Sequence, residues 1–87
     1  MIFVSTWSYT PENRAAIEAR FQETGGGPPE GVKMLGRWHA VGQGKGVVVA
    51  EADDPAAIAT WFHDWSDLMS FDTYPALDDE AVAKVIS

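Results

Sequence analysis

Eighty-seven residues predict one compact domain spanning 1–87 and exclude a second, since domains seldom run below ~50 residues. Apolar residues make up 46% of the chain, with four Trp, four Phe and two Tyr, yet a chain this short keeps much of its surface wet and gains from a partner subunit. Thirteen acidic against six basic side chains, a formal net charge of −7, is the wrong sign for gripping phosphates and argues against a nucleic acid partner.

With no cysteine there is no disulfide framework and no thiolate zinc site, and no apolar run is long enough for a membrane span. The expectation is a soluble, cytoplasmic protein with no membrane partner. Residues 1–50 hold four acidic and five basic side chains, whereas 51–87 hold nine acidic and one basic. Much of that acidity sits where helices would begin, at Asp53, Asp54, Asp78, Asp79 and Glu80, where unpaired N–H groups favour anions.

Met1 to Tyr9 is rich in β-formers and predicts the first strand. Thr10 and Pro11 supply an N-cap and a first helical residue, and the helix runs over Asn13 to Thr24, with Ile17 and Phe21 stacked four apart. Three glycines and two prolines from Gly25 to Pro29 stop it. Gly31 to His39 reads as the second strand, Gly42-Gln43-Gly44 as a tight reversal, and Lys45 to Glu51 as the third strand, a hairpin partner of the second. Asp54 and Pro55 open a second helix whose stripe is Ile58, Trp61, Phe62, Trp65 and Leu68. Met69 to Ala76 alternates as a strand, but Pro75 cannot donate to a ladder, which assigns it to a sheet edge. Leu77 and Val82 suit a hydrophobic staple at the start of a short helix over 79–86.

The order β-α-β-β-α-β plus a terminal helix predicts an α+β, ferredoxin-like fold with an antiparallel sheet of order 4-1-3-2, which also puts Pro75 at an edge. Ile2-Phe3-Val4 and Val47-Val48-Val49-Ala50 are apolar without alternation, so the two central strands need cover on both faces. Helices cover one, and a homodimer stacking sheet on sheet covers the other.

The stretch Gly31 to Val41, the stretch Trp65 to Asp79 and the Glu-Thr-Gly-Gly-Gly-Pro-Pro-Glu loop resemble a family of small bacterial proteins known as Domain of Unknown Function 3303, over nearly the whole chain. That family is similar to the dimeric α/β-barrel superfamily, which includes cofactor-independent monooxygenases, lactone isomerases, polyketide cyclases, haem-modifying enzymes and proteins without known activity. The resemblance implies the fold and the dimer and fixes no chemistry.

Strict alternation in the second strand sets Val32, Met34, Gly36 and Trp38 beneath the helices and Lys33, Leu35, Arg37 and His39 on the barrel-facing side. In the fourth it sets Met69, Phe71 and Thr73 against Ser70, Asp72 and Tyr74, and both polar sets are assigned to the concave side. His39 is the candidate acid or base, because imidazole titrates near neutrality, and Arg37 the candidate partner of a carboxylate, enolate or oxyanion. Trp7, Tyr9, Asp72 and Tyr74 are the candidate ligand-binding residues, Trp7 and Tyr9 as aromatic walls. Trp38, Trp61 and Trp65 are expected in the core.

Against these stand blander roles: His39 as an exposed strand-end residue, Arg37 as half of an inter-subunit ion pair, Glu51 as a capping carboxylate. His63 and Asp67 lie four apart but lack a third ligand, so no metal is expected, nor any other cofactor. Asp64 and Asp67 near a helix C-terminus suggest a cationic neighbour across a dimer. Gly42-x-Gly44-x-Gly46 precedes a strand and so makes no phosphate cradle. Two functions follow: a small-metabolite protein for an aromatic or polyketide-like ligand, of cofactor-independent monooxygenase, isomerase or cyclase type, or a non-catalytic dimeric interaction or sensing module with a self-filled cavity. Haem ligation by His39 is a minor third.

Overall fold

In the computed structural model, which describes residues 1–87, the chain forms β1 (Ile2–Ser8), a 3-10 turn (Pro11–Asn13), α1 (Arg14–Thr24), β2 (Val32–His39), β3 (Lys45–Ala52), α2 (Pro55–His63), β4 (Ser70–Ala76) and α3 (Asp79–Ile86). The strands make one antiparallel sheet in the order β2-β3-β1-β4, the ferredoxin-like arrangement, with the Pro75 strand at an edge as its missing N–H requires. Asp54 and Asp78 accept hydrogen bonds from the backbone N–H groups of Ala56 and Ala81, each at 2.9 Å, and so start α2 and α3. Thr10 occupies the equivalent place before the 3-10 turn without a side-chain cap bond.

Directly opposed residues of antiparallel strands share a face, and the register therefore sorts the sheet. Phe3, Ser5 and Trp7 of β1 oppose Ala50, Val48 and Gly46 of β3, and all six point toward the helices. Phe3, Trp7, Val48, Ala50, Ala52, Ile58 and Trp61 are the buried cluster. Ser5 is buried among them because its hydroxyl pairs with that of Thr73 at 2.7 Å. Ile2, Val4, Val47 and Val49 point the other way and are half-buried. The molecule is 17 Å across its thinnest dimension, about one sheet plus one helix layer, so this second face has no helix over it.

β2 departs from strict alternation. Met34 opposes Ala50 while Gly36 opposes Val49, so Leu35 is an extra residue in a bulge. Val32 and Met34 face the helices as alternation predicts, but beyond Leu35 the faces exchange. Arg37 and His39, opposite Val48 and Gly46, turn under the helices, and Trp38, opposite Val47, stands on the open face, 60% exposed instead of in the core.

The second helix also ends earlier than its apolar stripe predicts. After His63 the chain turns through bonds three residues apart, from Trp65 N–H to the Phe62 carbonyl and from Leu68 N–H to that of Trp65. Arg20 from α1 stabilises that segment. It donates to the Asp64 carbonyl at 2.8 Å, holds Asp67 through two bonds of 2.9 Å, and lies over Trp65. The cation beside Asp67 is therefore Arg20 of the same chain, and with this pairing Asp67 is not free to share a metal with His63.

The hydrogen bond from Arg20 holds the Asp67 carboxyl below its usual range. A depressed folded-state value gives stability that is present above the unfolded carboxylate range, near ~3.9, and lost as pH falls through the folded value. Melting curves of the wild type and Asp67→Asn are expected to differ modestly at neutral pH and to converge in acid; a gap that persists under strongly acidic conditions would show the pair contributes nothing by ionisation.

α3 completes the chain with no buried residue, and Val82, Val85 and Ile86 on it are exposed. Leu77 and Val82, the predicted staple pair, both remain exposed as well.

Candidate functional site

One cross-strand row organises the site. Phe71, Trp7, Gly46 and His39 stand side by side on the helix-facing surface, one from each strand. Because Gly46 has no side chain, the Trp7 ring lies over it, and a Cβ there would collide with three indole atoms. The Trp7 indole then meets the His39 imidazole edge to face across the gap, centroids 5.3 Å apart. Phe21, near the end of α1, approaches the same imidazole at 5.7 Å.

The next row brings Arg37 beside Val48 and Ser5. Its guanidinium lies over the Phe21 ring at 5.0 Å and donates to the carbonyls of Gly26 at 2.6 Å and Gly25 at 3.2 Å. Both glycines have positive φ, which turns these carbonyls away from α1. Partial burial pushes the guanidinium below its ordinary value, because the charged form loses solvation.

Between the sheet and the helices lies a cavity of about 470 Å³, in the ordinary range for a small-molecule site. Trp7, Tyr9, Phe21, Trp61, Phe62 and Phe71 give it aromatic walls, and Arg37, His39, Gln43 and Lys45 give it polar groups. Gln43 has φ 66°, the one non-glycine residue in the left-handed region, and with Gly44 it forms the tight reversal between β2 and β3.

Of the residues singled out in the sequence, Trp7, Tyr9, Arg37 and His39 come together here. Asp72 and Tyr74 do not. They oppose Thr6 and Val4 on the open face; Asp72 meets Trp7 and His39 only at the end of the sheet, where it lines a second concavity of about 560 Å³ with them and Trp38, and Tyr74 lines neither. The separation follows from the bulge: β4 alternates without interruption and keeps its polar set on the open face, while β2 sends its polar residues to the other side. Phe21, Trp61, Phe62 and Lys45 are site residues that the sequence did not assign to a site. Phe21, placed one turn after the buried Ile17, carried the clearest signal.

A four-stranded antiparallel sheet with helices on one face and an aromatic cavity between them defines a ferredoxin-like α+β fold. Over residues 1–87 the chain matches the family described as Domain of unknown function (DUF3303), and it belongs to that family. Among solved structures it is similar to Rv0793 from Mycobacterium tuberculosis, with a TM-score of 0.53 and 13% identity over 90% of this chain and 95% of that one. A candidate antibiotic biosynthesis monooxygenase from Deinococcus radiodurans is more distant in shape, with a TM-score of 0.47 and 15% identity over 88% of this chain and 92% of that one. At such identities a likeness speaks for the fold and not for the chemistry. No curated protein matches the chain.

Proposed function

We propose that the protein binds a small aromatic or polyketide-like metabolite between its sheet and α1 and α2, as one subunit of a cytoplasmic homodimer assembled through the open sheet face. The observation that carries the reading is the cavity of about 470 Å³, whose walls are aromatic and whose inward polar groups include one acid-base side chain and one guanidinium. An apolar, flat-walled space with few polar groups suits a planar ligand held in a fixed orientation. His39 is placed to take a proton from a phenol or carbon acid, becoming imidazolium, and Arg37 to hold the oxyanion left behind. That is proton-transfer chemistry of the cofactor-independent monooxygenase, isomerase or cyclase kind. The alternative, a non-catalytic module with a self-filled cavity, leaves this space without an occupant.

Asp72 and Tyr74 take a different part in this reading: they belong to the assembly face with Val4, Val49 and Trp38. Naphthol is a suitable first probe. It is expected to quench tryptophan emission saturably, with Trp7→Phe removing part of the change, Trp61 and Trp65 also lining the cavity, and Trp38→Phe leaving it whole. His39→Asn should fold normally, since the strand-end imidazole is exposed, while weakening the probe's binding several-fold, in line with a lost ring contact of about 0.5–1.5 kcal/mol. Absence of any saturable quench would remove the reading.

A further inference from the structure

The charge at the cavity opposes that of the chain. The protein carries a formal net charge of −7, yet Arg37 and Lys45 line the cavity against Glu18 alone. Arg37 is the informative cation. A guanidinium has five N–H donors and a full positive charge, and the Gly25 and Gly26 carbonyls engage one donor on each terminal nitrogen. Two neutral carbonyls supply partial but no formal negative charge, which leaves the cation only partly compensated. No carboxylate completes the balance, because the one ion pair in the protein joins Arg20 to Asp67. A half-buried cation with spare donors beside flat aromatic walls is best completed by an anion that is itself flat.

We infer that the ligand of this cavity is a planar aromatic anion, a ring bearing a carboxylate or an ionised phenol, whose oxygens take the Arg37 donors left free by the glycines while its ring lies among Trp7, Phe21 and His39. This rests on the metabolite-binding reading above and adds the charge of the ligand to it.

Calorimetric titration of the whole chain at neutral pH with naphthoate and with its neutral isostere naphthamide tests the inference. Naphthoate is expected to bind roughly tenfold to a hundredfold more tightly, the range of a charge-assisted hydrogen bond, and Arg37→Gln to bring the two ligands level. A nitronaphthol ionised at neutral pH separates the phenolate from the carboxylate as the oxyanion preferred. Equal affinities of naphthoate and naphthamide in the wild type would overturn the charge preference while leaving the aromatic site standing. An undiminished preference in folded Arg37→Gln would overturn the role of Arg37. Binding of neither ligand, with naphthol also unbound, would remove the site itself. If Arg37→Gln does not fold, Arg37→Lys decides, since it keeps the charge but not the fork: part of the preference should survive, and full retention would overturn the bidentate grip.

Discussion

Val48→Asp and Val49→Asp, adjacent substitutions of the same kind, are expected to have different outcomes. Val48 is 2% exposed beneath the helices, so a carboxylate introduced there would lose its solvation at a cost of several kcal/mol, which the half-buried Arg37 opposite it offsets only in part. A domain of this length has about 4–13 kcal/mol of stability in all, and the variant should be largely unfolded by circular dichroism. Val49 points to the open face, where Tyr74, Val4 and Gly36 share its row and the Trp38 ring folds back over Gly36. Its replacement should leave a folded chain that no longer associates, seen as the mass of one chain by light scattering at micromolar concentration. A wild type that itself runs at that mass would sink the dimer, and unfolding by both variants would remove the distinction between the faces.

Gly46→Ala carries the second large effect. The added methyl collides with the Trp7 indole, which is buried and hemmed in by Phe71 on one side and His39 on the other. Overpacking of this kind costs about 1–3 kcal/mol, and here it should also displace the ring that forms a cavity wall, so naphthol quenching should fall with the melting temperature. Gly36→Ala is the control. The colliding group there is the ring of the exposed Trp38, which can swing into water, and quenching should be unchanged. Equal loss of quenching in both variants would show that Trp7 is not the reporting wall.

Much of this architecture is legible in the amino-acid order. Asp54 and Asp78 cap the helices they precede, Pro75 marks the edge strand, and the unbroken apolar runs of β1 and β3 mark the two central strands. The site is legible only in part. Arg37, His39, Trp7 and Tyr9 are recognisable by type, but the face of the β2 pair is set by the bulge at Leu35, a choice made by the pairing with β3 and not by any local preference. Gly36 is the available clue, since a glycine inside a strand often accompanies a bulge or a close approach. Trp65 and Leu68 keep a helical spacing without a helix, because tight turns held by Arg20 reproduce the same phase over a few residues. The partner of Asp67 lies 47 positions away in sequence, a distance over which charge patterning carries no information.

The bulge makes the chemistry of β2 a matter of counting. Pairing Leu35 with Val49 would change no residue of the cavity, yet it would restore strict alternation and carry Arg37 and His39 through the sheet to the open face, while Trp38 passed inward to take their place. Insertions and deletions in this one strand therefore act as a polarity switch for whatever follows them. Among relatives of this chain, the length between the Gly31 turn and the Gly42–Gly44 reversal should report which side of the sheet carries the charged pair more reliably than the identity of the pair itself.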